Sequence, residues 1–568
     1  MRLSALAAVV GLLAGVAAWA LIHLIAMITN LVLFQRSGWN LPNFSDLAIT
    51  PWVVVSATAG GAVVALLAKW SPVIRGHGLP ETMEAILVRQ SRIAPRAALA
   101  KPLSAAVAIG TGGPFGAEGP IIVTGGALGS LVGQLVRVTP NQRKILLASG
   151  AAAGMAATFG SPLASVVLAI ELLLFEFSAR AFIPLVVATS VAAGVHAEFF
   201  GSGPLFHVPP HHFSGLGQLP LFAVLGLACG LLAVLIAKGL FFVEDLYRRL
   251  PIPDAWHPVV GALAFSSLGL LVPRALGVGY DVINDALASR LALGTLAALA
   301  VGKLVIWWIA LASGTSGGTL APILIISSTS GAFIGQLVAQ TFPGLNLSAS
   351  SVALVAMAAT FGAAARAPFA AIVFLFELTR DYDAILPLML ATVLAEIVAR
   401  SLLHDSIMTE KLTRRGLRVP NAYHADALRL TEVRAVMSSD LETVPADISV
   451  EELTERFATG HHSAYPVVDA KGALVGIVSR RDLINGVPDD MTLEDLAEPE
   501  VITVGSQDTV AVALQRMLEE GVDHLPVVDD GRLVGICTRT DVLHTRLDVI
   551  AHEQSQHGWL GRLRPGEV

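Results

Sequence analysis

Charge is what this sequence has least of. Aspartate, glutamate, lysine and arginine make up 14% of its 568 residues, against about 25% in an ordinary soluble chain. Mean hydropathy is +0.68, which excludes a wholly soluble globular protein and an intrinsically disordered one. Cysteine is almost missing: Cys229 and Cys537 are the two present. So distant a pair excludes a disulfide framework and a cysteine metal cluster. Basic residues are not in excess either, and a net charge of −7 argues against a nucleic-acid partner. What the chain does have in quantity is glycine, 52 residues of it, as closely packed membrane helices require.

The shortage of charge is local. No charged residue lies between Asp46 and Lys69, between Lys144 and Glu171, or between Lys303 and Arg366. Between Lys101 and Arg137 the single charge is Glu118. Toward the C-terminus the texture becomes that of a soluble domain. We expect a membrane part over 1–410, a basic linker over 411–425, a soluble part over 426–548 and a polar tail over 549–568. The linker carries Lys411, Arg414, Arg415 and Arg418. A basic juxtamembrane cluster marks the cytoplasmic side, so the soluble part is expected in the cytoplasm and the rest in the cell membrane as a multi-pass protein. After Met1-Arg2 the chain is apolar to Phe34. That run is expected to be a retained membrane helix and not a cleaved signal peptide.

Several apolar segments, such as 97–111, 145–157 and 162–175, fall short of the ~20 residues a full span needs. Many are interrupted by Gly-Pro or Ala-Pro pairs. Short, broken helices suggest a polar path through the membrane, as in transporters. An internal repeat supports this. Gly119-Pro120-Ile121-Ile122-Val123 resembles Ala321-Pro322-Ile323-Leu324-Ile325, and Gly133-Gln134-Leu135-Val136 recurs from Gly335. Met155-Ala156-Ala157-Thr158-Phe159-Gly160 recurs from Met357. All three matches share one offset, 202 (120 to 322, 133 to 335, 155 to 357). Pro162 and Glu171 then match Pro368 and Glu377 at an offset of 206. Whether the halves are parallel or inverted does not follow from the repeat.

Three Gly/Pro-rich stretches stand at the starts of apolar runs: Gly76-His77-Gly78-Leu79-Pro80, Gly116-Ala117-Glu118-Gly119-Pro120 and Gly318-Thr319-Leu320-Ala321-Pro322. Proline favours the first turn of a helix. The first four amides of a helix lack internal partners and carry the positive end of its dipole. Three such N-termini brought together would hold an anion without a full cation; three independent helix breaks are the alternative.

These stretches resemble the GxGxP, GxEGP and GxFxP signatures of the CLC chloride channels and transporters. The resemblance implies an all-α polytopic membrane fold of broken helices with an inverted internal repeat. It also implies a homodimer in the lipid bilayer and one chloride pathway per subunit. By position Glu118 is similar to the family's gating glutamate, which leaves an anion site when protonated. A lone carboxylate in a membrane segment is functional by default. The other motif residues, with Met408, are then the candidate anion site. The sequence departs from the family pattern at five positions. His77 stands for a serine, Ala117 for a basic residue, Leu320 for phenylalanine, Met408 for tyrosine and Leu172 for an internal proton-transfer glutamate. Leu172 favours passive or loosely proton-coupled chloride conduction, with Glu171 or Glu176 as substitute proton relays. A proton-coupled exchanger is the alternative. A histidine at the anion site adds a group that titrates near neutrality, so acid is expected to strengthen anion occupancy or alter gating.

The soluble part repeats too. Ala464-Tyr465-Pro466-Val467-Val468-Asp469 matches His524-Leu525-Pro526-Val527-Val528-Asp529, and Gly476–Asp482 matches Gly535–Asp541. Short β-branched runs alternate with helical patterns. This resembles an α/β CBS pair, which implies a dimerising module or an adenine-nucleotide site with Ser479, Asp482, Thr538 and Asp541 at ribose and phosphate. No cofactor is required. Neither an enzyme nor a metal site is expected: His552-Glu553 and His557 are spaced five apart, not the four of a zinc-protease helix. A CBS-regulated magnesium channel would need clustered carboxylates, which the membrane part lacks.

Overall fold

The computed structural model describes residues 1–71, 74, 76–175, 177–210, 215–345, 347–417, 428, 431–460, 462–483, 492–493 and 501–544. Glu176, the end of the linker and the 549–568 tail lie outside the described residues. Two compact units form, Met1–Tyr423 and His424–Val568.

The first unit is built from helices. The first eight are α1 (Arg2–Val32), α2 (Pro51–Trp70), α3 (Leu79–Leu87), α4 (Ala97–Gly110), α5 (Glu118–Leu135), α6 (Pro140–Phe159), α7 (Pro162–Ala169) and α8 (Ala179–Phe200). The next eight follow in the same order: α9 (Leu219–Arg248), α10 (His257–Gly269), α11 (Tyr280–Leu287), α12 (Leu293–Ala312), α13 (Leu320–Thr341), α14 (Ala349–Ala365), α15 (Pro368–Thr379) and α16 (Ile385–Leu402). A short α17 (Glu410–Thr413) ends the unit. Among the described residues seven helices are long and apolar enough to cross a membrane, α1, α2, α8, α9, α12, α13 and α16. Their outer faces carry exposed large apolar side chains such as Leu12 and Leu13 on α1 or Leu231 and Leu235 on α9. Lipid tolerates such a face, whereas water does not.

Local signals explain the breaks. A capping box joins Thr139 and Gln142 before α6, with Pro140 in the first turn, and Gly160 ends the helix at φ +65°. Proline again opens α7 and α15. Inside the unit the helices approach closely because the residues between them are small. A Cβ placed on Gly125 of α5 would collide with the Gly150 carbonyl of α6, and the reverse collision holds as well. A backbone contact of this kind is open only to glycine.

The halves touch reciprocally. Glu377, at the end of α15, accepts from the Leu163 and Ala164 amides at the start of α7, at 3.0 and 2.7 Å. Glu171, in the π-turn that continues α7, accepts from the Ala370 amide of α15 at 2.8 Å. Ala164 and Ala370 are equivalent positions, as are Glu171 and Glu377. Residue i of one half meets j of the other and j meets i, which defines a local two-fold axis. The halves form an inverted repeat.

The stretch from Lys411 to Arg415, expected as the start of a linker, is tied to the first unit by ion pairs. Lys411 pairs with Glu244 at 2.9 Å, Arg414 with Asp245 at 2.7 Å and Arg415 with Glu84 at 2.5 Å.

The second unit holds two copies of one motif. In the first copy β1 (Val444–Pro445) runs parallel to β2 (Ala464–Val468), which pairs antiparallel with β3 (Leu474–Ser479). In the second copy β4 (His524–Asp529) pairs antiparallel with β5 (Arg532–Thr538), and Val504 bridges in parallel to Val527 as Val444 does to Val467. The helices Val450–Thr459 and Val510–Glu520 cover the two sheets through Leu453 and Phe457 in one copy and Ala513 and Met517 in the other. Cys537 is buried in the second core, and burial pushes its thiol up to about 12. It is a packing residue, not a reactive one.

The reciprocal caps are expected to carry stability. Glu377→Ala leaves two amides of α7 without acceptors and should cost about 1–2 kcal/mol, seen as earlier thermal unfolding in detergent. Glu377→Gln keeps an acceptor and should lose less.

Candidate functional site

The three Gly/Pro-rich stretches meet inside the first unit. Gly76 and Gly78 have φ of +121° and +107°, a backbone that side chains other than hydrogen rarely adopt. Two features hold this loop. The Lys101 ammonium donates to the carbonyls of Ile74 and Gly76, both at 2.8 Å, and Glu81 turns back to accept from the Gly78 amide at 2.7 Å. Gly78 then lies so close to the Gly119 carbonyl that no Cβ fits, and a Cβ on Gly119 would strike the His77 carbonyl. Gly318 donates its amide to the Gly116 carbonyl at 2.9 Å, and Gly76 bridges to Ser316. The starts of α3, α5 and α13 are thus joined through backbone.

Glu118 is the first residue of α5 and is buried, 1% exposed. Its carboxylate lies over the two glycines that open the second and third motifs. A Cβ on Gly116 would overlap it, and a Cβ on Gly318 would come within 2.7 Å of Oε2. Oε1 accepts from the Tyr280 hydroxyl at 2.5 Å. Oε2 has no partner among the described residues, and neither has either ring nitrogen of the buried His77.

One cavity takes in His77, Leu79, Glu118, Gly119, Thr319, Leu320 and Met408. All seven were singled out from the sequence. Of the remaining motif residues, Gly76, Gly78, Gly116 and Gly318 shape the loops around it. Ala117 is buried beside Glu118, and Pro80, Pro120 and Ala321 sit in the first turns of α3, α5 and α13. Met408 reaches the cavity from a turn in which Ile407 donates to the Ala364 carbonyl at 3.1 Å. Sequence reading missed four lining residues, Ile122, Met155, Leu168 and Phe361. Two of these come from the repeated Met-Ala-Ala-Thr-Phe-Gly segment, its methionine in the first half and its phenylalanine in the second. The repeat itself was the available signal.

The cavity is apolar, with few polar groups: the His77 ring, the Glu118 carboxylate, the Thr319 hydroxyl and helix-end amides. Lys101 and Lys411 act on His77 through space, and Lys303 on Glu118. Helix N-termini and positive potential favour an anion. Among the described residues no group of three or more His, Cys, Asp or Glu could hold a metal. Glu171 is bonded to the Ala370 amide, and Leu172 beside it is buried.

In the second unit Asp482 accepts from the Ser479 amide and hydroxyl at 2.7 and 2.8 Å. Asp541 accepts from the Thr538 amide and hydroxyl at 2.8 and 2.7 Å. Each carboxylate closes the turn from strand to helix in its own copy. The copies meet where Ser463 Oγ lies 2.7 Å from His524 Nε2.

Comparison with known proteins fits this geometry. Residues 59–400 match the voltage gated chloride channel family, and residues 433–489 and 493–548 each match the CBS domain. The chain is 30% identical over 429 residues to the H(+)/Cl(−) exchange transporter ClcA of Citrobacter koseri, covering 72% of this chain and 88% of that one. It resembles the crystal structure of a slow cyanobacterial Cl−/H+ antiporter with a TM-score of 0.66 at 27% identity, over 73% of this chain and 98% of the other. A eukaryotic CLC transporter shares the fold over 95% of this chain and 98% of its own, with a TM-score of 0.61 at 22% identity. With its inverted halves, its three joined helix starts and its C-terminal CBS pair, the chain belongs to the voltage gated chloride channel (CLC) family.

Proposed function

We propose that this protein moves chloride across a membrane through one pathway per subunit of a homodimer, with Glu118 as the gate. One observation carries the reading: the buried Glu118 carboxylate occupies the cavity at the joined helix starts, over Gly116 and Gly318. An ionised carboxylate there competes with an anion for the same amides, and a proton releases it. Proton-linked exchange is favoured by the activity named for the ClcA relative and for the cyanobacterial antiporter. Loose coupling is favoured by Leu172 and by the commitment of Glu171 to the Ala370 amide. Passive conduction is the second reading and rests on Leu172 alone. Magnesium conduction lacks support, because of the residues that line the cavity Glu118 alone is a carboxylate, and a magnesium site needs several oxygen ligands.

His77 is the anion donor from the first motif: neither ring nitrogen has a partner among the described residues, and the one that carries a proton can donate to a bound chloride. The CBS pair is the cytoplasmic regulatory or dimerising part. An adenine nucleotide at Ser479, Asp482, Thr538 and Asp541 is its proposed ligand.

Three outcomes are expected. Glu118→Gln mimics the protonated gate, so chloride flux in liposomes should persist or rise, show a smaller pH dependence and drag no protons. A reversal potential measured under combined chloride and pH gradients reads the coupling directly. In the Glu118→Gln background, His77→Ser should flatten whatever pH response remains; an unchanged response removes His77 as sensor. ATP or AMP at a hundredfold excess over its dissociation constant should stabilise the CBS unit by about 2.7 kcal/mol. Asp482→Ala or Asp541→Ala should reduce that thermal shift.

A further inference from the structure

The first half builds its loop from Gly76-His77-Gly78, and the second half builds the same loop from different residues. Gly277 and Gly279 have φ of +61° and +81°. The Lys303 ammonium donates to the Ala275 and Gly277 carbonyls at 3.0 and 2.8 Å, as Lys101 does to Ile74 and Gly76. The lysines are 202 positions apart (101 to 303), the offset of the repeat. The residue after each loop opens a helix, Leu79 for α3 and Tyr280 for α11. The repeat therefore places Tyr280 against the motif loops.

Its ring is held edge-on to Phe159 and Phe206, with centroids 6.2 and 6.1 Å away. Phe206 is itself fully buried. Its hydroxyl meets Glu118 Oε1 at 2.5 Å, the length of a charge-assisted O–H···O bond. We propose that Tyr280 is the latch of the Glu118 gate: its hydroxyl holds the ionised carboxylate in the cavity, and the bond is lost when the gate leaves. The proposal rests on the gate reading of Glu118. The other polar or charged groups that face the pair are His77 in the cavity, Thr319 and the Ala321 amide of α13, and the Lys303 ammonium of α12. Lys303 is bound to two carbonyls of the Tyr280 loop, so it steadies the latch from behind. His77 lies on the Glu118 side.

The bond favours the ionised gate, because a carboxylate accepts more strongly than a carboxylic acid. Without it the gate takes a proton, and opens, at a higher pH. Tyr280→Phe keeps the ring and removes the donor. In proteoliposomes its half-maximal pH for chloride flux should rise by about one unit, a tenfold change in proton affinity. Incorporation of 3,5-difluorotyrosine at position 280 strengthens the donor without changing the packing. It should move the half-maximal pH down. Both shifts should vanish when Glu118→Gln is added. If Glu118→Gln deregulates flux while neither tyrosine variant moves the profile, the latch is wrong and the gate stands. If the tyrosine shifts survive in Glu118→Gln, Tyr280 acts elsewhere and the latch is wrong. If Glu118→Gln itself behaves as wild type, the gate reading falls and takes the latch with it. Should Tyr280→Phe fail to fold, the fluorinated variant decides alone.

Discussion

Irregular backbone inside a bilayer must find its hydrogen-bond partners within the protein. Here two fully buried lysines supply them. Lys101 and Lys303 each spread an ammonium over two carbonyls of a glycine loop. These loops let α3 and α11 start in the middle of the protein instead of at its surface. Broken helices, a cavity at their starts and a carboxylate that can enter it all presuppose that support. Replacing either lysine by an apolar residue would leave carbonyls stranded where water does not reach them. The same ammoniums also lend the cavity positive potential without standing in it, so an anion there is attracted yet not trapped by a direct ion pair.

Much of this was legible in the chain itself. The three Gly/Pro stretches were visible because a close backbone approach admits only glycine, and a helix start inside a membrane favours proline. Met-Ala-Ala-Thr-Phe-Gly was visible because α6 and α14 are buried nearly all round, which limits what their surfaces accept. Tyr280 was not visible. Its loop shares with the first one only the two glycines, for a repeat constrains the backbone and leaves side chains free to diverge. His77 and Val278, Leu79 and Tyr280 are equivalent in place and unlike in chemistry. The lysines bound the charge-poor stretches that begin at 101 and 303, and their shared offset was there to be read. Their function as carbonyl donors, however, is a tertiary fact.

Glu171 illustrates a second limit. An acid near a missing proton-transfer glutamate invites a proton-relay reading. The fold gives it an amide to accept from, at the start of a helix from the other half. The CBS carboxylates are similar: Asp482 and Asp541 close their own strand-to-helix turns. A nucleotide would have to use what those turns present, not carboxylates that were waiting unpaired. In each case the spacing identified a residue under constraint, and only the partner told which constraint.

The crossed caps bear on how such a chain comes to exist. The start of α7 is completed by Glu377, which leaves the ribosome long after α7 has entered the membrane. Until then the Leu163 and Ala164 amides lack the acceptor they have in the finished fold, so the final packing of α7 waits for the second half. Yet the caps are mutual, each half giving the other what it takes. Two copies of a single half, placed about the same two-fold axis, would close the same clasp between chains. The protein thus keeps, inside one polypeptide, the geometry of a two-fold dimer of its halves.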